Sequence, residues 1–132
     1  MAAQENSYAT ALSEIKNGRK HNHWMWYIFP QIKGLGRSST SEYYGISSLA
    51  EAKAYLADCV LGARILEISS CLLDLPTDNP TSIFGNPDDM KLKSSMTLFM
   101  QADPDNPVFQ AVIDKYFRGE KCKRTLLQLT DR

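Results

Sequence analysis

Both tryptophans of the chain lie in the run His23-Trp24-Met25-Trp26-Tyr27-Ile28-Phe29-Pro30-Gln31, which leads into a glycine-bracketed turn, Gly34-Leu35-Gly36-Arg37-Ser38. Rings this dense must be buried or line a binding surface, because apolar area left in water costs roughly 25 cal/mol per Å². Trp24, Trp26 and Tyr27 suit stacking on a flat ligand such as a nucleobase, which is worth about 1–3 kcal/mol per base. Gly34 and Gly36 would let backbone amides approach a phosphate, and Arg37, beside Ser38, could grip it through two parallel hydrogen bonds. Gln31, at the end of the run, is a further ligand-binding candidate; the plain alternative is a core segment that runs into an ordinary turn.

Other residues could take part. His23, next to the tryptophans, can serve as acid, base or hydrogen-bond donor near neutral pH. Glu42, in Ser41-Glu42-Tyr43-Tyr44, is an acid among rings, where burial would raise its pKa and suit it to general acid or base work. A structural histidine and a solvated loop glutamate are the competing readings. In Lys91-Leu92-Lys93-Ser94-Ser95-Met96-Thr97, the hydroxyls of Ser94, Ser95 and Thr97 could hold ribose or phosphate oxygens while Lys91 supplies charge. Tight helix packing, in which small serines admit a neighbour, explains the same residues.

His21 and His23 have no carboxylate or cysteine pair in register and fall short of a zinc set, so no metal or cofactor is expected. The cysteines are Cys59, Cys71 and Cys122, an odd count without a CxxC, which reads as free thiols in a reducing compartment. Cys122 stands between Lys121 and Lys123, and neighbouring positive charge can lower a thiol pKa; an incidental surface cysteine is the alternative. No Walker loop, nucleophile elbow or catalytic triad is present.

The 132 residues fit one domain, 1–132, long enough to bury a core without a disulfide or metal. Hydrophobic residues make up 43% and charged residues 23%, as in a globular protein. No apolar run reaches the roughly 20 residues of a membrane span, and the N-terminus has no secretory signal pattern; a cytoplasmic protein is expected. Net charge is zero but uneven: five bases and no acid from Lys16 to Arg37, and six bases against two acids from Lys115 onward. Neutral balance argues against bulk nucleic-acid binding, although the two basic ends could meet as one cationic mouth.

The elements that would position these residues are helical. Tyr8, Ala11, Leu12 and Ile15 share one helix face, and Gly18 is placed to stop that helix in a left-handed cap. Pro30 forbids a helix through the aromatic run, which should be a short buried helical turn or extended piece followed by an irregular loop. Ser48-Leu49-Ala50-Glu51 is a capping box. Leu61, Ile65, Ile68 and Leu72 mark the next helix. Asn79-Pro80, Asn86-Pro87 and Asn106-Pro107 each read as a cap followed by proline at the first helical position. Gly119 ends the helix of Val108 to Phe117, and Leu126, Leu127 and Leu129 suggest a last one. The predicted fold is mainly α, a single compact multi-helix domain with an irregular aromatic and glycine loop segment.

These motifs resemble those of the domain of unknown function 1810 family. The resemblance rests on the aromatic run, Gly34 to Ser38, Ile83-Phe84-Gly85 and Lys91 to Phe99, and extends from about Gln4 to Leu129. It implies a small, largely helical protein of a mostly bacterial family. Some members carry the label calpastatin, a disordered inhibitor, whereas this chain has the apolar content of a packed core. The order Ser41-Glu42-Tyr43-Tyr44, Glu51-Ala52, Leu61-Gly62-x-Arg64 and Phe109 to Phe117 is similar to the NADAR proteins, helical N-glycosidases of phosphorylated riboflavin precursors and ADP-ribose-type substrates. That similarity implies a catalytic acid at Glu42. Two functions follow as expectations: a site for a small anionic nucleotide-like or sugar-phosphate ligand, with N-glycosidase activity as its narrower form, or a non-catalytic interaction module in which the aromatic segment is core or docking patch.

Overall fold

The computed structural model describes residues 7–33 and 45–130, the Trp26 side chain excepted. The helices among them are α1 Tyr8–Lys16, α2 Met25–Ile28, α3 Leu49–Ala57, α4 Leu61–Leu73, α5 Pro80–Phe84, α6 Asp88–Ala102, α7 Pro107–Phe117 and α8 Lys123–Thr130. Among the described residues the sole β pairing is an isolated parallel bridge between Ile32 and Ile46. The fold is mainly α, as the apolar spacing predicts.

Local chemistry sets most helix ends. The Ser48 hydroxyl accepts from the Glu51 amide at 3.1 Å, and the Glu51 carboxylate accepts from the Ser47 amide at 3.1 Å. The box therefore forms with its return bond one residue earlier than the motif predicts. Asn79 caps α5 through the Thr81 and Ser82 amides, and Asn106 caps α7 through the Val108 amide at 3.0 Å. Asn106→Ala removes that acceptor and is expected to cost about 1 kcal/mol, read as a lower urea midpoint at unchanged slope. Gly18 (φ 80°) ends α1, and Arg118 (φ 55°) with Gly119 (φ 79°) turns the chain out of α7.

Asn86-Pro87 departs from expectation. The helix begins at Asp88, Pro87 stands outside it, and Asn86 makes no cap. The Asn86 amide instead leans on Asp89, whose carboxylate also accepts from the Thr81 hydroxyl at 2.7 Å and the Met90 amide at 2.9 Å. The buried Asp89 thus ties α5 to the start of α6.

α6 runs through the centre, packed against α3, α5, α7 and α8. From Leu92 to Met100 every residue is buried, and the Ser94 and Thr97 hydroxyls there donate to the carbonyls one turn back, of Met90 and Lys93. Phe99 lies against Tyr55 and Phe109, at ring separations of 5.2 and 5.7 Å. At the other end of the core Trp24, Phe29 and Phe84 form a ring cluster with centroids 5.9 to 6.3 Å apart. The aromatic run is thus a short buried helical turn, α2, with Trp24, Met25, Ile28 and Phe29 in the core.

One carboxylate seats that run. Glu14 of α1 accepts from the His21 amide at 2.6 Å, the Asn22 amide at 3.0 Å, the Trp24 indole N–H at 2.9 Å and the Asn22 side chain. Burial alone would raise its pKa; the donated hydrogen bonds outweigh that and hold it down at about 2.

Candidate functional site

Where the aromatic run ends, its backbone is fixed by two bonds to Ile46: Lys33 donates to the Ile46 carbonyl at 2.8 Å, and Ile46 donates to the Gln31 carbonyl at 2.8 Å. Gln31 then faces the first turns of α6 and the start of α8. Together with Pro87, Met90, Lys91 and Ser94 on one side and Cys122 and Arg124 on the other, it lines a cavity of about 220 Å³.

The hydroxyls of α6 build the far wall. Thr97 donates to the Lys93 carbonyl at 2.8 Å and accepts from the Cys122 amide at 2.9 Å, so it pins the chain just before α8. The Ser94 hydroxyl lies 3.3 Å from the Cys122 sulfur. Lys93 reaches Glu120 at 2.7 Å and clamps the same turn; its hydrogen bond holds the Glu120 carboxyl below the usual range. Burial of the Cys122 sulfur opposes ionisation, but Ser94 and the polar groups at the start of α8 outweigh it and lower the thiol pKa. The flanking lysines are not the cause. Behind the near wall Lys91 pairs with Asp88 at 3.2 Å, and Asp88 also pairs with Lys20 at 2.9 Å, outside the cavity.

The sequence family described as "Protein of unknown function (DUF1810)" matches residues 1–129. The chain belongs to the DUF1810 family. It is also similar to a conserved hypothetical protein from Mycobacterium tuberculosis, solved by crystallography, with 44% identity over 98% of this chain and 92% of that one and a TM-score of 0.95. A search of curated proteins gives no match, so the NADAR similarity rests on its short motifs alone.

In this DUF1810 chain the cavity brings together Gln31, Lys91 and Ser94 of the sequence-predicted set. Trp24 is 1% exposed, with its indole N–H on Glu14 and its face in the core. Tyr27 is half-buried and donates to the His23 carbonyl at 2.8 Å. His23 is exposed and, with Ser7, Thr10, Asn22 and Trp24, borders a separate hollow of about 250 Å³. Ser95 and Thr97 are fully buried inside α6. Gly34, Gly36, Arg37, Ser38, Glu42 and the Trp26 side chain lie outside the described residues.

A larger hollow of about 390 Å³ lies beside Arg19, Lys20 and the α5 segment Thr81 to Gly85. There the Thr81 hydroxyl donates to Asp89, the Ser82 hydroxyl to the Asn79 carbonyl, and Lys20 pairs with Asp88. Met90 and Arg124 were not singled out by sequence reasoning, and Cys122 was noted only for its flanking lysines; the cluster Lys121-Cys122-Lys123-Arg124 was the available signal. Among the described residues no three His, Cys, Asp or Glu side chains converge as a metal site, and no helix is long and apolar enough to cross a membrane.

Proposed function

We propose that this protein binds a small anionic ligand, nucleotide-like or sugar-phosphate-like, in the cavity between Gln31, Lys91, Ser94 and Arg124. The observation that carries this reading is the meeting of two motifs some sixty residues apart, the end of the aromatic run and the first turns of α6, around one hollow. Lys91 and Arg124 give the wall positive charge and Gln31 offers directional hydrogen bonds; the Ser94 hydroxyl beside them donates to the Met90 carbonyl at 3.2 Å. The volume of about 220 Å³ is below the roughly 300–1,000 Å³ of sites for drug-sized molecules. It suits one phosphorylated sugar better than a whole dinucleotide.

N-glycoside hydrolysis is the narrower form of this reading. It needs an acid or base at the cleaved bond, and among the described lining residues there is no carboxylate. It therefore rests on Glu42.

Thermal unfolding with ribose 5-phosphate, ADP-ribose, NAD and a phosphorylated flavin precursor tests the proposal. A bound ligand at about 100 times its Kd adds about 2.7 kcal/mol of stability, a rise of several degrees in Tm. Lys91→Ala and Arg124→Ala are expected to abolish most of that rise. No rise with any compound would sink the reading. The second reading, an interaction module, is favoured by Met90 and Leu127, apolar side chains 49% and 64% exposed; burial of Trp24 and Phe29 assigns the aromatic run a core role within it.

A further inference from the structure

We infer that the anion received by the α6–α8 cavity is a phosphate ester with an apolar ring close to the phosphate, rather than a bare sugar phosphate. This assignment rests on the anion reading above and names what lies beyond the charged group.

The cavity wall has two characters. Lys91, which pairs with Asp88 at 3.2 Å, and Arg124 supply positive charge, and no carboxylate stands among the described lining residues. Beside them are Pro87 and Met90. Pro87 is exposed, and Met90 is 49% exposed in the first turn of a helix that is buried from Leu92 to Met100. The other large apolar side chain open to water among the described residues is Leu127, 64% exposed. It follows Arg124 by three residues on α8, so the two share a helix face. A single exposed apolar side chain is ordinary. Here both adjoin one pair of cations, which suits a molecule charged at one end and apolar at the other. Met90 suits a ring in particular, because its side chain is unbranched and adaptable and its sulfur makes favourable contacts with aromatic rings.

The polar groups point the same way. A sugar brings several hydroxyls, each of which gives up water on entering a cavity. The Ser94 hydroxyl donates to the Met90 carbonyl at 3.2 Å, and Thr97, deeper in α6, serves the Lys93 carbonyl and the Cys122 amide. Gln31 is the lining side chain with an amide donor and acceptor. One amide does not satisfy several hydroxyls, whereas a ring laid on Met90 and Pro87 needs no partner.

The test is calorimetric titration of the full-length chain with phenyl phosphate, ribose 5-phosphate and phenol. At about pH 7.5 both phosphates are close to dianionic, so charge is held constant. Covering about 60 Å² of apolar surface is worth roughly tenfold in affinity, and phenyl phosphate is expected to bind more tightly than ribose 5-phosphate by about that factor. Met90→Ser should remove most of the advantage and leave ribose 5-phosphate unchanged, while Met90→Leu should keep it. Met90 is half exposed, so both variants should fold, and thermal unfolding checks that they do. Equal affinity for the two phosphates, or an advantage that survives Met90→Ser, overturns the inference and leaves the anion reading in place. Phenol binding as tightly as phenyl phosphate, or no binding by either phosphate, overturns both.

Discussion

Glu14→Ala is expected to cost about 3–4 kcal/mol, a large share of the roughly 5–15 kcal/mol that holds a domain together. The carboxylate accepts the Trp24 indole N–H at 2.9 Å, and Trp24 is 1% exposed, so its loss leaves a buried donor without its acceptor. A buried donor left unmade costs about 1–3 kcal/mol. The His21 and Asn22 amides also lose their acceptor, although these residues are exposed and water recovers part of the loss. The start of the aromatic run is then held by packing, while its far end keeps the two bonds to Ile46. Urea unfolding followed by tryptophan fluorescence measures the effect; a midpoint within error of the parent would show that Glu14 does not seat the run.

The same residue sets a pH dependence. Its pKa is about 2 in the folded protein against an ordinary 4.5. Because the folded value is depressed, the stability it contributes is full above about pH 4.5 and disappears as pH falls towards 2. Part of that gain is moderated by solvent near the exposed His21 and Asn22, leaving about 2 kcal/mol. Glu14→Gln should therefore be less stable than the parent at pH 7 and lose less on acidification between those limits. Parallel stability curves for the two proteins across that range would refute the assignment.

Gly62→Ala is the second substitution with a large expected effect. A Cβ at position 62 would lie 2.1 Å from the Leu56 carbonyl oxygen and 2.9 Å from its carbon. Both are backbone atoms at the end of α3, so no rotamer change relieves the clash and α4 must move away from α3. Alanine gains up to about 1 kcal/mol of helix propensity over glycine. Overpacking typically costs about 1–3 kcal/mol, and a contact this short on rigid backbone belongs at or beyond the upper end. A net loss of about 2 kcal/mol or more is expected by thermal or urea unfolding. An unchanged or raised midpoint would mean that the α3–α4 junction opens freely.

Features that depend on near neighbours were legible in the sequence. Ser48, Asn79 and Asn106 cap helices because their acceptors reach amides two or three residues ahead, and Gly18 stops α1 through its own φ. Asn86 is no cap because the helix begins at Asp88, which puts Pro87 at the cap position and Asn86 one residue outside it. The aromatic run shows the limit of periodicity. Dense rings satisfy both a core and a ligand wall, and what decides for Trp24 is a carboxylate ten residues earlier on α1.

The candidate site divides in the same way. Lys91, Ser94 and Gln31 stood out as residue types, but their proximity depends on how α8 and the Ile32–Ile46 bridge fold back on α6. The spacing of Ser94 and Thr97 puts them one helical turn apart. It does not say that one meets the sulfur and the other the amide of Cys122, more than twenty residues away. Likewise the lysines flanking Cys122 were visible, whereas Ser94, which meets its sulfur, had to be brought there by packing.

The central claim is that the hollow between Gln31, α6 and the start of α8 receives a small anion. The most direct measurement is a titration of the isotope-labelled protein with ribose 5-phosphate and with ADP-ribose, followed by amide chemical-shift mapping. Saturable shifts centred on Gln31, Lys91, Ser94, Cys122 and Arg124, reduced in Lys91→Ala, are the expected result. Saturable shifts centred instead on the hollow beside Arg19 and Gly85, or none at millimolar ligand, would contradict it.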